Sequence, residues 1–223
     1  MRSKRSIKLG DYDTAVNGWT LTGWKLEAAP QKTNYVERLG GDGSWDFSTA
    51  LTDGVLRYDN RSLSISLETS EGNRLEREDR IRQMVNQLDG MTVSIKLPDD
   101  DSHYLTGRLK VVKEYNDTAH AAVSVTANCE PWKYNDTETV VHLAATTTEK
   151  TAELVNSGRR VVAPLMTVTG ADVTLKAGGA SMTVSAGTYK VPDLVLLPGS
   201  TSLKYSSAST ASIKITYREA VLE

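Results

Sequence analysis

The chain has 223 residues, of which 39% are apolar and 24% charged, with a formal net charge of -2 and a pI near 6.0. That balance describes a folded chain rather than a disordered one, and it provides no positive field to draw in a phosphate backbone, which argues against nucleic acid as a principal partner. Cys129 is the single cysteine, so no internal disulfide is possible, which fits folding in a reducing cytoplasm and leaves stability to packing.

The only basic cluster, Arg2, Lys4 and Arg5, is followed by no long apolar run over Ser6 to Asp13, so it is not read as the start of a signal peptide. Period-two alternation dominates from there. It predicts strands near Ile7–Leu9, Trp19–Leu26, Val55–Tyr58, Met91–Leu97, Tyr104–Tyr115 and Ala119–Cys129, separated by Gly, Asn and Asp turn signals. The clearest case puts Leu63, Ile65 and Leu67 on one face and Ser62, Ser64, Ser66 and Glu68 on the other. One segment departs from that period: Ile81, Met84, Val85 and Leu88 recur at helical spacing over Asn73–Leu88. With Asn73 as N-cap, Glu76 three residues on and Gly90 as a stop, a helix of about 15 residues, roughly 22 Å long, is expected to cover one sheet face.

From about Val140 charges thin out, Ala, Thr, Ser and Val rise, and all four tryptophans (Trp19, Trp24, Trp45, Trp132) lie behind, so a domain boundary is placed between 1–139 and 140–223. Val173 and Leu175, then Met182 and Val184, alternate around a four-residue loop, Ala177-Gly178-Gly179-Ala180. Leu194–Leu197, a Pro198-Gly199 turn, Ser202–Tyr205 and Ala211–Tyr217 complete a small antiparallel sandwich, and Ala144–Lys150 reads as a loop. The longest apolar-rich run, Val191–Leu197, is broken by Pro192 and Asp193, so no membrane insertion is expected.

No residue pattern nominates a catalytic site. Asp99, Asp100 and Asp101 lack the Gly and distal Glu of a calcium loop and read as a solvated hairpin tip. His103, His120 and His142 share no zinc spacing with Cys129. No G-x-S-x-G elbow is present, and Cys129 ends an apolar strand where an inert buried thiol is expected. Gly40-Gly41-Asp42-Gly43-Ser44 lacks the lysine and following helix of a phosphate loop. The sequons at Asn60, Asn116 and Asn135 read as turn residues. No metal and no cofactor are expected. A sugar-binding role for the second domain would rest on Tyr189, Tyr205 and Tyr217, and a glycan hydrolase would need two facing carboxylates that the sequence does not nominate.

Three segments carry a resemblance: Leu39-Gly-Gly-Asp-Gly-Ser-Trp-Asp-Phe-Ser48, Tyr58-Asp-Asn-Arg-Ser-Leu-Ser-Ile-Ser-Leu67 and Cys129-Glu-Pro-Trp-Lys-Tyr134. In order and spacing, with the helix between the second and third, they resemble the distal tail protein family of long-tailed, non-contractile bacteriophages (siphophages). The ending Ile213-Lys-Ile-Thr-Tyr-Arg-Glu-Ala-Val-Leu222 is similar to the last strand of that family's second domain. The resemblance implies a mainly β chain: an N-terminal β-sandwich-like domain with one α-helix plus a C-terminal galectin-like antiparallel β-sandwich. It implies no enzyme but a structural virion component of the viral tail tip or baseplate, a homo-oligomer forming a hexameric ring. That ring would join the tail-tube protein to the tail-tip hub, fibre, receptor-binding or tail-associated lysin proteins, with DNA only passing through, after assembly in the host cytoplasm. The alternative it leaves open is a carbohydrate-binding sandwich that contributes to host attachment. Strand edges on long hairpins suit a ring that closes head to tail. The best such hairpin has its tip at Pro98–His103, which makes Asp99, Asp100, Asp101, His103 and Tyr104 the candidate interface residues.

Overall fold

A computed structural model describes residues 6–52, 54–177, 179–191 and 194–223. Arg2, Lys4 and Arg5, Gly178 of the expected hairpin loop, and Pro192 with Asp193 lie outside the described residues. The protein is mainly β and divides into two units, Met1–Lys133 and Tyr134–Glu223. The division falls between Lys133 and Tyr134, ahead of the composition change near Val140. Tyr134 to Glu138 still has the polar composition of the first unit, but its hydrogen bonds go to Arg218 and Glu219.

The first unit strings β1 (Lys8–Leu9), β2 (Tyr12–Asp13), β3 (Thr20–Leu26), β4 (Tyr35–Glu37), β5 (Ser44–Asp46), β6 (Arg61–Thr69), α1 (Arg74–Leu88), β7 (Thr92–Lys96), β8 (His103–Asn116) and β9 (Ala121–Cys129) along the chain. Seven strands follow one another within one sheet in the order β2-β1-β7-β8-β9-β6-β3, each antiparallel to its neighbour, while β4 and β5 pair only with each other. The alternation of β6 is realised in full: Leu63, Ile65 and Leu67 are buried, and they sit across from Ala127, Val125 and Val123 of β9. Large residues thus face small or β-branched ones, which lets adjacent strands fill one face without voids.

The helix begins where the sequence places it. Asn73 Oδ1 accepts from the amides of Leu75 and Glu76 at 2.9 and 3.0 Å, and Glu76 Oε2 accepts from the Asn73 amide at 2.9 Å, so three orphan donors are met. Ile81, Met84 and Leu88 point into the core with Val85 half-buried beside them. At the other end Asp89 Oδ1 accepts from the Val111 amide at 2.9 Å, and Gly90, at φ +76°, donates to the Leu109 carbonyl. The left-handed turn that glycine allows hands the helix end directly to the β7–β8 hairpin. Arg77, which the apolar spacing does not flag, is also buried. It donates to the carbonyls of Gly72, Asp117 and Thr118, fastening the helix start to the β8–β9 turn.

After β10 (Lys133–Asn135) the second unit adds β11 (Thr139–Ala145), β12 (Lys150–Asn156), β13 (Leu165–Gly170), β14 (Val173–Ala177), β15 (Ala180–Val184), β16 (Gly187–Lys190), β17 (Gly199–Ser207), β18 (Ala211–Tyr217) and β19 (Ala220–Val221). Two four-stranded antiparallel sheets, β11-β18-β13-β16 and β12-β17-β14-β15, share one core that includes Leu154, Met166, Leu175, Leu203, Ile213 and Ile215.

Several expected elements differ. Val55–Tyr58 is not a strand and contributes a single bridge, Tyr58 to Gln31. Leu194–Leu197 likewise supplies only the Leu196–Val162 bridge, although Leu194 and Leu196 are buried. Both segments are apolar enough to look like strands, but each has no neighbouring strand running alongside it. The β14–β15 register pairs Ala177 with Ala180, so the strands reach one residue further into the expected four-residue loop from each side. The short or weakly alternating strands β2, β4, β5, β10, β11, β12, β13, β16 and β19 carry no pattern long enough to be read from the sequence.

Candidate interface surfaces

Between β3 and β6 the chain leaves the sheet and returns to it. The Glu27 amide donates to the Ser62 carbonyl, Lys32 to Arg57 and Asp59 to Pro30, so the two legs of the excursion stay side by side. Its outer part is the β4–β5 ribbon, closed by Gly40 and Gly43 at φ +76° and +74°. The glycine-rich segment is thus a turn, as its composition indicates. Asp46 and Ser48 shape the return leg: the Ser48 amide donates to Asp46 Oδ1 and the Asn34 amide donates to Ser48 Oγ, both at 2.8 Å. The bonds from Ser48 hold the Asp46 carboxyl below its usual range. At the root Tyr58 and Trp132 meet edge to face with ring centroids 5.5 Å apart.

This arm exposes its apolar side chains. Leu39 is 100% and Leu51 99% accessible, Trp45 is half exposed beneath the Arg38 guanidinium, and Tyr35, Val36 and Phe47 are open to solvent as well. Isolated exposed apolar residues are ordinary, whereas six on one excursion are a concentration of the kind found at binding surfaces. The sequence signal was available: Leu39, Trp45 and Phe47 crowd a glycine-rich turn with no alternation that could bury them.

The tip of the β7–β8 hairpin is arranged differently from a row of free aspartates. Asp99 and Asp101 are exposed, and Tyr104 is half-buried. Asp100 turns inward, where its carboxylate meets His103 Nδ1 at 2.8 Å, Ser102 Oγ at 3.1 Å and Lys133 Nζ at 3.3 Å. Burial works against its charge, but the hydrogen bonds from His103, Lys133 and Ser102 outweigh it and hold the carboxyl at about 2. The three aspartates therefore do not converge, and among the described residues no three His, Cys, Asp or Glu side chains gather as a metal site would need.

Cys129 is buried, and burial pushes its thiol up to about 11 against a partial offset from Arg61. A shallow depression lined by Leu9, Asp11, Tyr12, Asn17, Gln87, Leu88 and Val93 contains one carboxylate, so it lacks the facing pair of a glycoside hydrolase. Of the three tyrosines considered for a sugar platform, Tyr205 and Tyr217 belong to the core, and the Tyr217 hydroxyl donates to the Val155 carbonyl at 2.6 Å. Only Tyr189 faces solvent, its hydroxyl donating to the Ala186 carbonyl.

The mainly β architecture with one helix has a counterpart among solved structures. Among solved structures the chain is similar to the SPP1 Dit (gp 19.1) protein, described as a paradigm of hub adsorption apparatus in Gram-positive infecting phages, at a TM-score of 0.68 over 96% of this chain and 98% of that one. Identity is 15%, so the correspondence is one of fold. No family model matches the chain, and no curated protein matches it in sequence.

Proposed function

We propose that this chain is a non-enzymatic structural component of a bacteriophage tail tip. Six copies form a ring that joins the tail-tube protein to the distal hub, fibre or tail-associated lysin proteins, and the apolar arm between β3 and β6 is the main contact from one copy to the next. The observation that carries this reading is the arm itself, on which Leu39 and Leu51 are almost wholly exposed. The fold of SPP1 Dit over nearly the whole length supports the tail setting. A heterologous contact, arm to body, closes into a ring when the rotation per copy divides a full turn. The exposed tip residues Asp99 and Asp101 with Tyr104 form a second, smaller contact, held in shape by the Asp100–His103 pair. The carbohydrate reading is less favoured, because burial removes Tyr205 and Tyr217 from any platform.

The test is light scattering coupled to size exclusion, with negative-stain images of the same fractions. Sixfold rings are expected for the native chain. Replacing Leu39, Trp45 and Phe47 together by Ser should give monomers with an unchanged thermal melt. Rings that persist in that variant would refute the arm as the contact, and monomers of the native chain in the presence of tail-tube protein would refute the ring. Exchanging Pro98–His103 for a short Asn-Gly turn tests the tip in the same way.

A further inference from the structure

The depression beside β1, β2 and β7 has a lining that the fold itself leaves uncovered. Gly10, at φ +65°, turns β1 into β2 and donates its amide to the Ser94 carbonyl at 2.7 Å, which lays that turn against β7. The last turn of α1 closes the other side with Gln87 and Leu88. Leu9 and Leu88 are buried and Val93 is half-buried, and these three make the apolar part of the lining. Tyr12 is buried as well, its hydroxyl accepting from Trp19 Nε1 at 3.1 Å. Asp11 and Gln87 are exposed, and neither side chain has a hydrogen bond or ion pair among the described residues. An apolar hollow with a few unengaged polar groups is the pattern of a binding site.

The arm carries the complement. In its outer turn the Arg38 amide donates to the Gly43 carbonyl at 3.4 Å and the Gly41 amide to the Arg38 carbonyl at 3.3 Å. Leu39 stands in that turn wholly exposed, and Arg38, next to it in the chain, holds its positive charge over the Trp45 ring. A leucine beside a cation thus matches an apolar hollow beside an anion. Position in the sheet says which copy the match joins. In the strand order β2-β1-β7-β8-β9-β6-β3 the hollow sits at one end, whereas the arm springs from β3 and β6 at the other. Complementary patches at opposite edges make a head-to-tail contact, which repeats from copy to copy.

We infer that this hollow receives the arm tip of a neighbouring copy, with Leu39 entering among Leu9, Leu88 and Val93 and Arg38 pairing with Asp11. This docking rests on the arm as the contact between copies and gives that contact its receiving surface. The buried leucine supplies the affinity, as a central apolar anchor does, and the charge pair at the rim sets which way round the tip enters.

Two measurements on the full chain test it. Asp11→Arg and Arg38→Asp, both at exposed positions, should each weaken ring formation at least about tenfold by setting like charges face to face, and the chain carrying both should recover most of the loss. Leu39→Cys combined with Gln87→Cys should, on mild oxidation, give a ladder of disulfide-linked copies. The same Leu39→Cys combined with Lys110→Cys on the exposed face of β8 should not, and the native Cys129 is buried and stays out of the reaction. Native rings that survive both single reversals, or rings that yield no ladder, would overturn the docking, leave the hollow to a tube or hub protein, and keep the ring itself. A native chain that stays monomeric beside the tail-tube protein would overturn both.

Discussion

Gly107 of β8 lies directly across from Cys129 of β9, and a Cβ placed on Gly107 would fall 2.7 Å from the Cys129 sulfur. The close pairing of backbone to thiol explains why a glycine stands between Leu105 and Leu109 on the buried face of the strand. Gly107→Ala should cost about 2 kcal/mol in urea unfolding, from overpacking. Adding Cys129→Ala, which removes the obstructing sulfur, should restore part of that loss. Gly158→Ala should admit no such rescue, since its Cβ would meet the backbone carbonyl oxygen of Ala220 at 2.5 Å and no side-chain change can move it.

The same thiol gives a reporter of unfolding. With burial holding Cys129 at about 11, the thiolate fraction at pH 8 is about one in a thousand, and the sulfur has no access to solvent. An aromatic disulfide reagent at pH 8 should therefore label native protein only at the rate of unfolding, and the labelling rate should rise with urea in step with the unfolding limb. Rapid labelling without denaturant would contradict the buried position.

Asp100 predicts an acid-sensitive contribution to stability. A carboxyl whose folded value lies below its unfolded one stabilises the fold at higher pH and loses that stabilisation as pH falls through the folded value. For Asp100 the window runs from the ordinary 3.8 down to about 2. The native chain should exceed Asp100→Asn by on the order of 1–2 kcal/mol at pH 6, and the gap should close across that window. Parallel melts at pH 6, 4 and 2 check it; a gap that persists at pH 2 would mean the carboxylate charge is not its source.

The helix start separates a capping effect from a buried network. Asn73→Ala removes the acceptor for the Leu75 and Glu76 amides and should cost about 1 kcal/mol. Arg77→Met should cost more, about 3 kcal/mol, because the carbonyls of Gly72, Asp117 and Thr118 all lose the one buried guanidinium that joins them. Equal costs, read by urea titration, would show that water replaces the guanidinium.

These positions also show what could be read in advance. The cap at Asn73, the helix face and the alternation of β6 rest on neighbours within a few residues, so they are visible in sequence. Arg77 has the pattern of a solvated charge, and only the β8–β9 turn, some 40 residues on, gives it a reason to be buried. Asp100 looks like its two neighbours in part for the same reason: Ser102 and His103 are local partners, but Lys133, which also holds it inward, lies 33 residues on. The Asp46–Ser48 turn was visible as a motif but not as a shape, because its other partner, Asn34, lies on the opposite leg of the arm. Tyr205 and Tyr217 are candidates whose burial the alternation with Leu203, and with Ile213 and Ile215, already implied.

The arm departs from the last residues of β3 and rejoins at β6, two strands that are themselves paired from Thr20–Glu68 to Leu26–Leu63. It is therefore an elaborated hairpin connection whose ends the sheet holds together whatever lies between them. Loop length changes the closure entropy only slowly. Selection can accordingly lengthen, shorten or rewrite this segment to follow a changing neighbour while the core that carries it stays the same, and the surface most exposed to divergence is also the one whose divergence costs the fold least.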